Sequence, residues 1–157
     1  GIALLGLAGC TTVTTTTSDG SVVPTPPQTA ADPVRRAQAR LELASLYFSR
    51  GQHQTALDEI RQALAARPDM PEAIGLRALV LAATGDSAGA EASFQRAMQL
   101  APGDAGIVHN HGWFLCNERR WAEADAAFDR AIASPRYDGV ARSWMAKGVC
   151  LARAGRW

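Results

Sequence analysis

Beyond residue 36 the apolar residues of this chain fall on a fixed step. Ala44, Gly51, Ala56, Ala63 and Pro68 return 34 positions later as Ala78, Gly85, Ala90, Ala97 and Pro102. Bulky positions keep the same step, Ile60 returning as Phe94 and again as Phe128. Small residues at Ala44, Ala78, Gly112 and Gly148 are each followed one helical turn later by Tyr47, Leu81, Leu115 and Leu151. That pattern predicts a first helix in every unit whose small residue admits a closely crossing second helix. The second helices carry Ala56, Ala90 and Ala124, then Ala63, Ala97 and Ala131. The units predicted are 37–69, 71–103 and 105–135, with a partial unit over 138–157 whose first helix ends near residue 154. Units of this period bury their cores only against neighbours, so the array reads as a helical solenoid.

The turn chemistry agrees. Gly51, Gly85 and Gly155 stand where a helix ends in the left-handed region that glycine enters without steric cost. Pro68 and Pro102 stop the second helices, because a residue without an N–H cannot continue the ladder. Two departures occur in the third unit. Arg119 replaces the glycine and is expected to reshape that turn, and Pro135 arrives one residue early, which predicts an irregular connection.

Together these offsets resemble the tetratricopeptide repeat family from residue 37 onward. The resemblance implies an all-α right-handed superhelix of antiparallel helix pairs, here preceded by a disordered linker. It further implies that the first helix of each unit lines the concave surface. On that reading the partner-binding groove is formed by Leu41, Ser45, Phe48, Leu79, His109, Trp113, Met145 and Val149, a largely apolar set. An apolar groove suits an amphipathic helix or an extended hydrophobic segment of a partner. Repeat proteins that grip a peptide carboxylate set Lys, Arg and Asn there, and the first two units lack that pattern. The competing reading is that these residues bury against further repeats or an in-curling helix.

Composition narrows the partner. The chain has 157 residues, a formal net charge of +1 and 47% hydrophobic residues, which suits a globular domain and gives no basic groove for nucleic acid. All Lys and Arg lie beyond Pro33, and Asp19 and Asp32 are the only charges before it. The first residues are different in kind. An apolar run ending in Leu7-Ala8-Gly9-Cys10 resembles the lipobox of bacterial lipoproteins, which implies a truncated signal peptide over 1–9 and acyl chains on Cys10. The alternative is a short buried strand or helix with an ordinary cysteine. Residues 10–33 are rich in Thr and Pro, with a Thr14-to-Thr17 run and Pro24-Thr25-Pro26-Pro27. Too little apolar surface is available there to offset ordering entropy, so a flexible tether is expected before the repeat domain at 34–157. Thr11 rather than Asp after the cysteine favours, by the same resemblance, the inner leaflet of the outer membrane facing the periplasm.

Catalytic chemistry is not expected. His109 and His111 lie about 200° apart around one helix, poor geometry for a shared metal. Cys116 with a histidine lacks an orienting third group, and no Gly-rich phosphate loop is present. Asp58 with Glu59 and Asp125 with Asp129 read as solvated faces of second helices. No cofactor is called for. Cys116 and Cys150 are a separate matter. In an oxidising periplasm, with Cys10 lipidated, an even pair remains in the middle of neighbouring first helices, and a disulfide joining units three and four is expected. Two buried free thiols are the alternative.

A narrower resemblance is carried by His109-Asn110-His111-Gly112-Trp113-Phe114-Leu115-Cys116, which is similar to the Asn-Asn-Tyr-Gly-Trp-Phe-Leu-Cys stretch of the type IV pilus biogenesis/stability lipoproteins of the PilW/PilF type. The shortened connector with Ser134-Pro135-Arg136-Tyr137, and Gly148-Val149-Cys150 before Ala154-Gly155-Arg156, resemble the same family. The departures are His109 and His111 in place of Asn and Tyr. The resemblance implies a pilotin-like outer-membrane lipoprotein that binds the pilus secretin and promotes its localisation and oligomerisation. Two other readings stay open: a lipid-anchored periplasmic scaffold docking cell-wall enzymes, and an accessory module of an enzyme.

Overall fold

The structure is a computed structural model and describes residues 33–155. The apolar stretch, Cys10 and the Thr/Pro-rich segment lie outside the described residues, except for Pro33, which opens the first helix. Seven helices and no strand occur among the described residues: α1 (Pro33–Ser49), α2 (His53–Ala66), α3 (Pro71–Ala83), α4 (Ser87–Leu100), α5 (Ala105–Asn117), α6 (Trp121–Ile132) and α7 (Val140–Arg153). None of them is long and apolar enough to cross a membrane. Consecutive helices pair as α1 with α2, α3 with α4 and α5 with α6, and α7 packs on α6 and α5. The architecture is the all-α array of helix hairpins that the 34-residue step predicts.

Local chemistry sets the helix ends. Pro71 sits in the first turn of α3, where its missing N–H leaves nothing unsatisfied. Asp86 and Asp104 cap α4 and α5 by accepting from the amides of Gly89 and Ile107 at 2.9 and 3.0 Å. Each of α1, α3 and α5 closes on the same pair of backbone bonds. Gln52 donates to the Tyr47 carbonyl, Asp86 to Leu81 and Arg120 to Leu115, all at 2.9 Å. The residue before each donor has positive φ: 73° at Gly51, 85° at Gly85 and 60° at Arg119. Arg119 therefore does not reshape its turn. The hydrogen-bond demand of the helix end holds an arginine in the left-handed region that glycine fills elsewhere.

The connection after α6 is irregular, as Pro135 predicts. Segments 67–70 and 101–104 join the earlier hairpins, whereas 133–139 joins α6 to α7 and includes Arg136 at φ 59°.

The repeated small residues carry the core. Ala44, Ala56, Ala63, Ala78, Ala90, Ala97, Ala124 and Ala131 are all fully buried, and Ile60, Phe94 and Phe128 fill the space they leave. At Gly112 a Cβ would sit 3.0 Å from the Phe128 ring and 3.3 Å from the Ala127 Cβ, so α5 and α6 cross as closely as glycine allows. Gly148 holds the same position in α7 and meets no atom within 4 Å. The difference has a simple cause: no helix follows α7 among the described residues. The same absence leaves Trp144 54% exposed, where its counterparts Ile74 and Val108 are buried.

Candidate functional site

Three first helices contribute side chains to one groove near their C-terminal ends. Phe48 comes from α1, Leu79, Ala82 and Ala83 from α3, and Trp113, Phe114, Asn117 and the adjoining Glu118 from α5. The groove encloses about 210 Å³. Each residue is there because the solenoid stacks equivalent helices side by side, which places the same helical face of successive units in a row. At Asn117 the groove meets a second, wider pocket of about 560 Å³, lined by Cys116, Asn117, Arg119, Trp121, Arg153 and Ala154. Arg153 of α7 lies 5.1 Å from the centroid of the Trp113 ring and donates to the Asn117 side-chain oxygen at 3.0 Å. Glu118 accepts from the Ser87 hydroxyl at 2.9 Å.

Of the eight groove residues read from the sequence, Phe48, Leu79 and Trp113 share this groove. Leu41 is 9% exposed and packs with Ala37, Ala63, Met70 and Ala73 between α1, α2 and α3. It is too deep to offer a surface. Ser45 is exposed, with its hydroxyl bonded back to the Leu41 carbonyl at 3.0 Å. Met145 and Val149 stand on α7, 70% and 44% exposed, outside the groove.

His109 also departs from the groove. It is 7% exposed, and its Nδ1 lies 2.8 Å from the Ser143 hydroxyl. Ser143 in turn lies 3.2 Å from the Tyr137 hydroxyl, which accepts from Arg142 at 3.3 Å. Since arginine only donates, a chain from Arg142 through Tyr137 and Ser143 to His109 Nδ1 satisfies every member. Burial, and after it the charge of Arg142, lowers the pKa of His109 below its ordinary 6.5.

His111 faces elsewhere. Its Nε2 lies 3.3 Å from Glu91, and its ring is 5.2 Å from Phe94. Burial lowers its pKa and outweighs the Glu91 carboxylate, so it is neutral at pH 7. Burial alone would raise Glu91, but hydrogen bonds from Arg120 and Gln95 bring it below the usual value. Arg120 bridges Glu91 and Glu123, each at 2.6 Å, which ties α4 to the start of α6.

The seam between α5 and α7 also holds a covalent link. Cys116 and Cys150 form a disulfide with their Cα atoms 5.7 Å apart. Nearby, Lys147 of α7 pairs with Asp125 at 3.1 Å and with Asp129. Those two carboxylates are not solvated ornaments of α6, because they hold α7 in place. Likewise Glu59 accepts from Arg40 at 2.8 Å across the first hairpin, and Asp58 pairs with Arg61.

Beyond those eight, the lining takes in Ala82, Ala83, Cys116, Asn117 and Arg153 on the inward face of the first helices, and also Phe114, Glu118, Arg119, Trp121 and Ala154, which sequence reading misses. A template of inward positions counts only one face of each first helix. These five sit beside that face or in and after the closing turn. The one signal pointing to them is the arginine standing in a glycine position at 119.

The sequence profile of the tetratricopeptide repeat family matches residues 29–71, 41–105 and 115–157. Among solved structures the fold is similar to that of PilW, a widely conserved type IV pilus biogenesis factor, with TM-score 0.70 and 32% identity over 76% of this chain and 55% of PilW. It is similar to PilF of Pseudomonas aeruginosa with TM-score 0.74 and 22% identity, over 79% of this chain and 56% of PilF. MamA shares the fold at TM-score 0.62 and 19% identity, over 80% of this chain and 71% of MamA. The chain thus spans about half the length of PilW and PilF. No curated protein matches it by sequence. With the family profile covering most of the chain and the hairpin array in place, this chain belongs to the tetratricopeptide repeat family.

Proposed function

We propose that this chain is an outer-membrane lipoprotein of the type IV pilus system that binds the secretin and promotes its localisation and oligomerisation. Acyl chains on Cys10 hold the repeats at the periplasmic face of the outer membrane, and the groove between α1, α3 and α5 docks a secretin segment. Tethering of this kind raises the effective concentration of subunits at the bilayer where they must assemble, without any new contact between them. The protein acts by binding and turns over no substrate.

The observation that carries the reading is the convergence of Phe48, Leu79 and Trp113 from three successive repeats on one groove. The similarity to PilW at 32% identity supplies the pilus context. Phe48 is half-buried at the rim, so Phe48→Asp places a charge in the groove without entering the core. Secretin should co-purify with the wild-type chain from detergent-solubilised envelopes and be lost with Phe48→Asp, at unchanged helical circular dichroism. Equal recovery with the variant would refute the reading.

A further inference from the structure

The exposed surface of α1 divides into two arcs. One, beside the Phe48 face, is polar and carries Gln38, Glu42, Ser45 and Ser49. The other faces away from the array and gathers Ala39, Leu43 and Leu46 with Arg35, Arg36 and Arg50. At 3.6 residues per turn these six fall within about 100° of one another. No carboxylate stands among them, and Glu42 marks the edge. Leu43 and Leu46 are 40% and 43% exposed. None of the three arginines pairs with a carboxylate among the described residues, whereas Arg40 is taken up by Glu59.

The other repeats treat these positions differently. Leu46 corresponds to Val80 and Phe114, which pack onto the preceding unit: Val80 clusters with Ala44, Ala56 and Ile60, and the Phe114 ring lies 5.5 Å from Phe94. No unit precedes α1 among the described residues, so Leu46 is open. Leu43 corresponds to Arg77 and His111, so an apolar side chain stands here where the next two repeats have polar ones. The arginines are equally local. Arg35 answers to Asp69 and Gly103, Arg36 to Met70 and Asp104, and Arg50 to Thr84 and Glu118. Repeat geometry requires none of them.

We propose that this face of α1 rests on an anionic lipid bilayer, with the three arginines at headgroup phosphates and Leu43 and Leu46 in the interface. Leucines rimmed by arginines are the composition of a helix face that lies on a membrane surface. A second copy suits the face less, because self-pairing would bring six arginines together against two flanking Glu42 side chains. Attachment favours the same partner. Cys10 precedes Pro33 by 23 residues, so an acyl group there would hold α1 within about 80 Å of a bilayer. The contact then orients the array. Phe48 lies about 140–160° around α1 from the two leucines, which leaves the groove open. Such a contact is separate from secretin docking and does not require it.

Flotation with lipid vesicles tests it on the full chain carrying Cys10→Ser, which takes acylation out of the readout. Vesicles of phosphatidylethanolamine and phosphatidylglycerol should carry the chain upward, and neutral phosphatidylcholine vesicles should not. Binding should fall as salt is raised. Arg35→Gln, Arg36→Gln and Arg50→Gln together should lower the bound-to-free ratio at least about tenfold, since each basic side chain near such a surface is worth about fivefold. Leu43→Ser with Leu46→Ser should lower it about fivefold. All five residues are exposed, and helical circular dichroism checks that the fold is kept. Arg61→Gln, Arg96→Gln and Arg136→Gln remove the same charge from other faces and should change binding less than about twofold. Phe48→Asp should leave flotation intact, which separates this result from secretin binding. Equal binding to neutral vesicles, no binding to either kind, or equal loss in the two arginine triples would each overturn the proposal. So would dimers in analytical ultracentrifugation that Leu43→Ser with Leu46→Ser dissolves, since the face would then belong to a second copy.

Discussion

His109 of α5 and Ser143 of α7 stand 34 residues apart in the chain and meet at 2.8 Å between the first helices of successive repeats. Burial, and after it the nearby charge of Arg142, favours the neutral imidazole here. Folding therefore lowers the pKa of His109, and the unfolded chain binds the extra proton. His111 has the same sign. The unfolding free energy should fall as pH drops from 7 to 5, through the range below 6.5 where only the unfolded histidines protonate. Urea titrations at those two pH values check this, and His109→Gln should weaken the dependence. Ser143→Ala should cost about 1–2 kcal/mol at pH 7, since it strands the buried imidazole and breaks the Tyr137 link. Equal midpoints at pH 5 and 7 would contradict the assignment.

The disulfide between Cys116 and Cys150 spans a separation of 34 residues. A loop of that length is worth roughly 3–4 kcal/mol in the chain-entropy model. Reduction with dithiothreitol should lower the melting temperature, and a Cys116→Ala, Cys150→Ala double variant should melt at the reduced value and ignore the reductant. Iodoacetamide applied to denatured, unreduced protein should leave both residues unlabelled in mass spectra. Labelling of both would show them to be thiols.

Gly112 and Gly148 sit at one repeat position with opposite surroundings. Gly112→Val forces a side chain against Phe128 and Ala127 and should cost about 1–3 kcal/mol. In this chain Gly148→Ala meets nothing and gains helix propensity, which should stabilise by about 0.5–1 kcal/mol. Chemical denaturation of the two variants checks the pair. A similar response in both would mean that α5 and α6 do not cross as closely as described.

Arg119→Gly should raise stability by about 0.5–1 kcal/mol, because relief of the left-handed arginine exceeds the added flexibility of the unfolded glycine. Urea denaturation of the variant beside the wild-type chain checks this, and an unchanged or lower midpoint would contradict it.

What could be read from sequence divides along physical lines. The hairpin array was legible because small residues at helix crossings are set by backbone approach, which leaves Ala44, Ala78 and Gly112 few substitutes. Phe48, Leu79 and Trp113 were legible for the same geometric reason, since stacked helices repeat one face. Leu41 and His109 lie on that face too, yet their depth depends on neighbours that no single helix records. His109 turns inward because Ser143, one repeat away, offers a partner at that depth. Arg119 stood out as a departure, but its consequence was misread. The turn's paired backbone bonds fix its shape whatever residue occupies it, so the arginine takes up glycine's conformation and brings a charge to the rim.

The account stands or falls on which surface meets the partner. A photo-crosslinking residue placed at Leu79 or Trp113, in the groove, should yield a covalent adduct with the secretin in intact cells, while one at the exposed outer position Gln62 of α2 should yield none. Adducts from Gln62 with none from Leu79 and Trp113 would contradict it.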